Sequence, residues 1–219
     1  MYFTCVTVFH FFSKLLLTQR GIDGSMKIHF SKEELKDLGK AWLAITVAFA
    51  IVLSHNVVGA LPAFLIISAI AVGFGFLFHE MGHKVVAQRY GCFAEFRSFD
   101  FMLVLAFVMS FFGFVFAAPG AVMIRGYVNN ERNGKISVAG PAVNLVMAIG
   151  FLFVKYFTTP GSFVGVIAHY GFFINSFLAL FNLIPFGNFD GSKVYRWNKG
   201  VWWPMVIISF IFTFMMGGL

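Results

Sequence analysis

The chain has 219 residues, of which 59% are hydrophobic and only 11% charged, against about 25% charged in a soluble domain. So few charges cannot cover such a fold for water, and a mean hydropathy of +0.85 agrees, so a protein embedded in a lipid bilayer is the expected class. The net charge of +7 does not mark a nucleic-acid binder, because the basic residues stand between apolar runs as topology signals and form no basic face interleaved with aromatics.

Residues 1–25 read as a dispensable N-terminal extension: the apolar stretch 2–12 is too short to span, no small-residue cleavage site follows it, and Met26 opens a segment that looks like an ordinary start. Cys5 and Cys92 are isolated, which argues against a disulfide framework and against a cysteine zinc site. Residues 26–40 form a cytosolic amphipathic segment. Within it Ser31 is the expected N-cap of a helix over 32–40, with Glu33 and Glu34 at its positive end. A span needs about 20 apolar residues. Runs at 41–57, 62–87, 138–157, 164–184 and 201–216 meet or approach that length. A sixth apolar run, 101–118, lies between clusters carrying Arg89 and Arg97 on one side and Arg125, Arg132 and Lys135, read as a loop, on the other. Both clusters belong in the cytosol by the positive-inside rule, so this run is expected to enter and return, broken near Gly113 or at Pro119-Gly120. The expected fold is therefore an all-α polytopic membrane protein. It has about five transmembrane helices, a re-entrant segment and a short β element, with residues 41–219 as a single domain and the N-terminus in the cytosol.

Ionisable residues inside apolar spans are costly and mark function by default. The clearest group is His79-Glu80-Met81-Gly82-His83, near the cytosolic end of the second run. At 3.6 residues per turn, His79 and His83 stack on one helix face, where two neutral imidazoles can hold one zinc ion and Glu80 can serve as general base. A catalytic zinc site takes a third protein ligand. Glu95, Asp100, Glu131, His169 and Asp190 are the candidates, and Asp190 is favoured because it lies at the same membrane level as the two histidines. Of the other polar groups, His169 and Asn175 read as interhelical hydrogen-bond partners. His55 reads as solvated, and Trp202 and Trp203 as an interfacial belt.

Three motifs resemble the site-two proteases, intramembrane zinc metalloproteases that release regulators from membranes. His79-Glu80-Met81-Gly82-His83 is similar to the family's HExxH, Asn182 to Gly191 to its NxxPxxxxDG, and Gly140-Pro141-Ala142-Val143-Asn144 to its AGPxxN segment. The resemblance covers about residues 62–195. It implies one zinc per chain on His79, His83 and Asp190, with Glu80 as base and Asn144 near the site as an oxyanion or substrate-backbone donor. It implies an edge strand over Gly120, Ala121, Val122, Met123 and Ile124 that pairs with a locally extended transmembrane protein substrate. Asn182 and Pro185 are expected to unwind the helix so that Asp190 turns to the metal. The long run 101–118 departs from shorter family members, and no PDZ insertion is present. The compact form suits a multi-pass protein of a prokaryotic cell membrane. Readings from other classes are a metal or proton transporter using the same His and Asp residues, and an inactive scaffold that binds membrane helices. A prenyl-protein endopeptidase is a further reading, but the Glu-containing third-ligand motif it calls for is not found downstream.

Overall fold

The computed structural model describes residues 28–55, 57–115 and 119–216; the extension expected at 1–25, Cys5 included, lies outside them. Ser31 caps the first helix, α1 (Lys32–Leu53), by accepting the Glu34 N–H on its Oγ at 3.0 Å. The expected boundary between an amphipathic segment and a first span is absent. One 22-residue helix runs through it, polar at the start and apolar beyond.

The second run is a continuous rod of 32 residues, Val58–Arg89. It is built from a short 3₁₀ turn, α2 (Leu61–Ser68) with Pro62 in its first turn, a π turn at Ala69–Gly73, and α3 (Phe74–Arg89). Gly91, with φ of 72°, lets the chain leave α3 and turn directly into a strand. That strand, β1 (Phe93–Ser98), replaces the basic connector expected around Arg97. It pairs antiparallel with β2 (Gly120–Arg125), in register from Phe93↔Arg125 to Ser98↔Gly120.

Between the strands lies α4 (Asp100–Ser110), 11 residues long. At 1.5 Å per residue it is about 16 Å long, roughly half of a hydrocarbon core. It ends where a break was expected, with Gly113 at φ of 86° in the following turn. The next helix, α5 (Asn130–Tyr156), is capped by Asn129, whose Oδ1 accepts the Arg132 N–H at 2.8 Å. Arg132 and Lys135, read from the sequence as loop residues, therefore belong to its first turns; the cap starts the helix well before the apolar run begins.

Ser162 caps α6 (Phe163–Asn182), and a loop leads to the short α7 (Asp190–Trp197). Asn198 then caps α8 (Lys199–Phe210), which continues as a π turn at Ile211–Met216. Trp202 is not an interfacial anchor. It is buried, and its indole N–H donates to the Leu183 carbonyl at 2.8 Å, satisfying a free carbonyl at the end of α6. Trp203 is exposed.

Among the described residues, three helices are long and apolar enough to cross a membrane: Val58–Arg89, Asn130–Tyr156 and Phe163–Asn182. The described residues are thus mostly helical with one two-stranded sheet, and they include the helices of a membrane protein. Helix α5 is the hub, packed on α6, α3 and α7. One core joins α1, the long rod, β1, α4 and α6; a second joins α5 to α8; a third ties the end of α3 to the sheet and α5.

The sheet is fastened to the helices by charge. Glu34 of α1 and Lys84 of α3 form an ion pair with no exposure on either side chain. The second oxygen of Glu34 accepts the Phe96 N–H at 2.9 Å, and the Phe30 ring covers the Lys84 ammonium. Further along β1, the Ser98 hydroxyl donates to Asp37 Oδ1 at 3.1 Å, and the Gln88 amide donates to the Ala94 carbonyl at 3.3 Å. The outer edge of β1 is thereby occupied by side chains, while no further strand pairs with β2 among the described residues.

Candidate metal centre

The 3.6-residue repeat does what the motif requires. His79 and His83, one turn apart on α3, bring their Nε2 atoms to 3.0 Å from each other. Asp190, the first residue of α7, places Oδ2 3.1 Å from His83 Nε2 and 3.5 Å from His79 Nε2. Zinc bonds of about 2.0 Å at tetrahedral angles separate the ligand atoms by about 3.3 Å. The triangle of 3.0, 3.1 and 3.5 Å therefore matches one face of a zinc tetrahedron.

The surroundings fit the same ion. A Cβ on Gly140 of α5 would fall between the two imidazoles, 2.6 Å from His79 Nε2, so the space beside the ligands exists because that residue has no side chain. Gly82, inside the motif, lets α3 and α5 cross closely, since a Cβ there would stand 3.0 Å from the Ala139 carbonyl. Each ring nitrogen turned away from the triangle has an acceptor. His79 Nδ1–H donates to Asn144 Oδ1 at 2.6 Å, and His83 Nδ1–H donates to the Ile136 carbonyl at 2.8 Å. Protons held on Nδ1 leave both Nε2 lone pairs free for a metal. Asp190 adds an anionic oxygen to the two imidazoles, with Oδ2 turned toward both Nε2 atoms. Its other oxygen faces Lys193 Nζ at 3.7 Å.

The remaining candidate ligands are engaged elsewhere. Glu95 pairs with Ser31 and Arg97, Asp100 with Lys40, Glu131 with Lys135, and His169 with Lys155. Glu80 lies buried beside the triangle, with the backbone of Val122 in β2 next to its carboxylate. Gly120, Ala121, Val122 and Met123 all lie on β2, and Val122 is the one of them next to Glu80. Asn182 keeps the last turn of α6 by donating to the Leu178 carbonyl at 2.9 Å; the chain then unwinds through Pro185 to Asp190.

Compared with curated proteins, the chain is similar to one from Methanocaldococcus jannaschii named "Putative zinc metalloprotease". The two are 44% identical over 175 residues, which cover 79% of this chain and 88% of the relative. The chain belongs to the zinc metalloproteases. Zinc is accordingly the metal implied for this metalloprotease, and His79, His83 and Asp190 are close enough to bind one. No protein-family model matches the chain, and no solved structure matches it.

Two features of the site were not read from the sequence. The backbone acceptor for His83, Ile136, leaves no mark in composition. The Glu34–Lys84 pair did leave one: a lysine directly after His83 in an apolar run demands a buried partner.

Proposed function

We propose that this zinc metalloprotease is of the site-two type, an intramembrane endopeptidase that hydrolyses peptide bonds of transmembrane proteins. The observation that carries the reading is the position of the candidate ligands: His79 and His83 lie on a helix long and apolar enough to span, Asp190 closes the triangle from α7, and Glu80 stands next to Val122 of the only sheet among the described residues. Held by His79, His83 and Asp190, one zinc per chain supplies Lewis acidity toward a peptide carbonyl and lowers the pKa of water toward about 7.

The chain's own residues do the rest. Glu80 accepts the proton of the attacking water and returns it to the leaving amine. Asn144 acts through His79, because both of its Nδ2 hydrogens are engaged, by Gly75 O and Asn175 Oδ1; it takes the place of an orienting group instead of an oxyanion donor. A helical substrate shields its peptide bonds, so it must extend locally. The edge formed by Gly120, Ala121, Val122 and Met123 receives it by strand addition next to Glu80. The side chains along β1 favour the β2 edge as the site of addition.

In the bilayer, α1 from Ala41 onward, the 58–89 rod, α5, α6 and α8 make five spans of a multi-pass cell-membrane protein, with residues 26–40 in the cytosol. The short α4 re-enters, and the N-terminus and zinc lie toward the cytosol. Residues 41–219 act as one domain, with the catalytic core at 62–195.

The test is zinc per chain in detergent-purified wild type, His79→Ala, Asp190→Ala and Glu80→Gln, followed by liposome co-reconstitution with a panel of single-span proteins. The expected result is one zinc in wild type and Glu80→Gln, none in the ligand variants, and cleavage by wild type alone. A wild type that holds no zinc after re-loading overturns the reading. Cleavage that survives Glu80→Gln overturns the role of Glu80.

A further inference from the structure

The rod that carries the histidines is irregular one and a half turns above them. Ala69–Gly73 is a π turn, a departure from the α-helical hydrogen-bond pattern. Asn175, in the middle of α6, reaches a carbonyl of this turn: its Nδ2 donates to Ala71 O at 2.9 Å and, back along its own helix, to Gly171 O at 2.8 Å. With both hydrogens engaged by carbonyls, the orientation of this amide is fixed and its Oδ1 can only accept. It accepts from Asn144 Nδ2 at 3.0 Å, while the second Nδ2 hydrogen of Asn144 goes to Gly75 O at 3.2 Å. Asn144 Oδ1 is therefore the end that meets His79 Nδ1. Both asparagines are completely buried, and Gly75 makes room for them: a Cβ there would stand 2.5 Å from Asn175 Oδ1.

The direction of this chain of bonds matters chemically. An asparagine can present either end of its amide to an imidazole. If Asn144 turned its NH₂ to His79 Nδ1, the ring proton would move to Nε2 and block the metal. We infer that Asn175 is a positioning residue for the metal site: it fixes the orientation of Asn144, which keeps the proton of His79 on Nδ1 and the Nε2 lone pair directed at the ion. The π turn is the anchor of the relay, since it provides the carbonyl that orients Asn175. The inference rests on the zinc site proposed above.

The experiment measures zinc affinity of the full-length purified chain by competition with a chelator, together with the visible spectrum of its Co²⁺ form. Asn175→Leu removes the acceptor for Asn144, and its zinc affinity is expected to fall about 10- to 100-fold, the range for lost outer-shell partners. Asn175→Asp, neutral when buried, still accepts from Asn144 and donates one proton to Ala71 O, so it should bind near wild type with an unchanged Co²⁺ spectrum. In an Asn144→Asp background the carboxylate is ionised by its pairing with the metal-bound His79 imidazole and can only accept, so adding Asn175→Leu should then cost little. Wild-type affinity in folded Asn175→Leu overturns the inference, as does an equal loss with and without Asn144→Asp, which is the signature of general helix packing. If Asn175→Leu does not fold, Asn175→Ser takes its place, since a serine hydroxyl turns back on its own helix; equal affinity of the Ser and Asp variants overturns the inference. Wild type without zinc removes the metal site itself, an outcome distinct from these.

Discussion

Gly140→Ala offers the sharpest test of how the metal site is packed. The added Cβ would stand 2.6 Å from His79 Nε2 and nearer still to His83 Nε2, against about 3.5 Å for an ordinary contact. The overlap is thus about 0.9 Å or more on that contact scale. Neither side can give way. The rings are held by Asn144 and Ile136, which lie on α5 itself, so a retreat of α5 pulls the rings along. Inserting one methyl into such a packed place costs about 1–3 kcal/mol. At about 1.4 kcal/mol per factor of ten, zinc binding weakens between about 5-fold and about 140-fold. Chelator competition on the purified protein reads this directly. Gly150→Ala on the same helix is the control, because a Cβ there meets nothing within 4 Å. It should leave zinc affinity unchanged and raise stability by about 0.5–1 kcal/mol. Equal zinc affinity in the two alanine variants would refute the packing argument.

Two further outcomes follow from the charges that fasten the sheet. Lys84→Met leaves the Glu34 carboxylate buried and unpaired and should destabilise the protein by about 3–5 kcal/mol in denaturant unfolding; the pair Glu34→Gln with Lys84→Met keeps an acceptor for Phe96 N–H and should recover most of that loss. A double variant as unstable as the single one would show that the ion pair itself holds the fold. The third outcome concerns pH. Partial burial pushes the Asp37 carboxyl up, but the Ser98 N–H, the Lys40 ammonium and the Ser98 hydroxyl outweigh it and lower it below its ordinary value of 3.8. A carboxyl depressed on folding stabilises above its unfolded pKa and loses that contribution as pH falls through the folded one. The melting temperature of wild type should therefore exceed that of Asp37→Asn at pH 6, and the gap should close below about pH 4; a gap independent of pH would exclude the charge as its cause.

The clustering of the three candidate ligands was legible because their constraints are local or nearly so. His79 and His83 obey the helical repeat, and Asp190 follows a helix that must end at Pro185. The short length of α4 was legible from the basic clusters around it and from Gly113. The strand at Phe93–Ser98 was not, because half of its edge partners are side chains of α1 and α3, distant in sequence and invisible to a period-two pattern. The start of α5 was missed for the opposite reason. Asn129 caps a polar first turn that hydropathy alone assigns to a loop. The role of Asn144 depended on where its two hydrogens go, and only the positions of Gly75 and Asn175 determine that.

The order of the ligands along the chain gives the order in which the centre is built. His79 and His83 come early, on α3, and Asp190 only after α5 and α6. A chain that stops short of α7 has two of the three residues of the cluster. Metal binding by all three therefore depends on nearly the whole helical scaffold and cannot be passed to an N-terminal fragment of it.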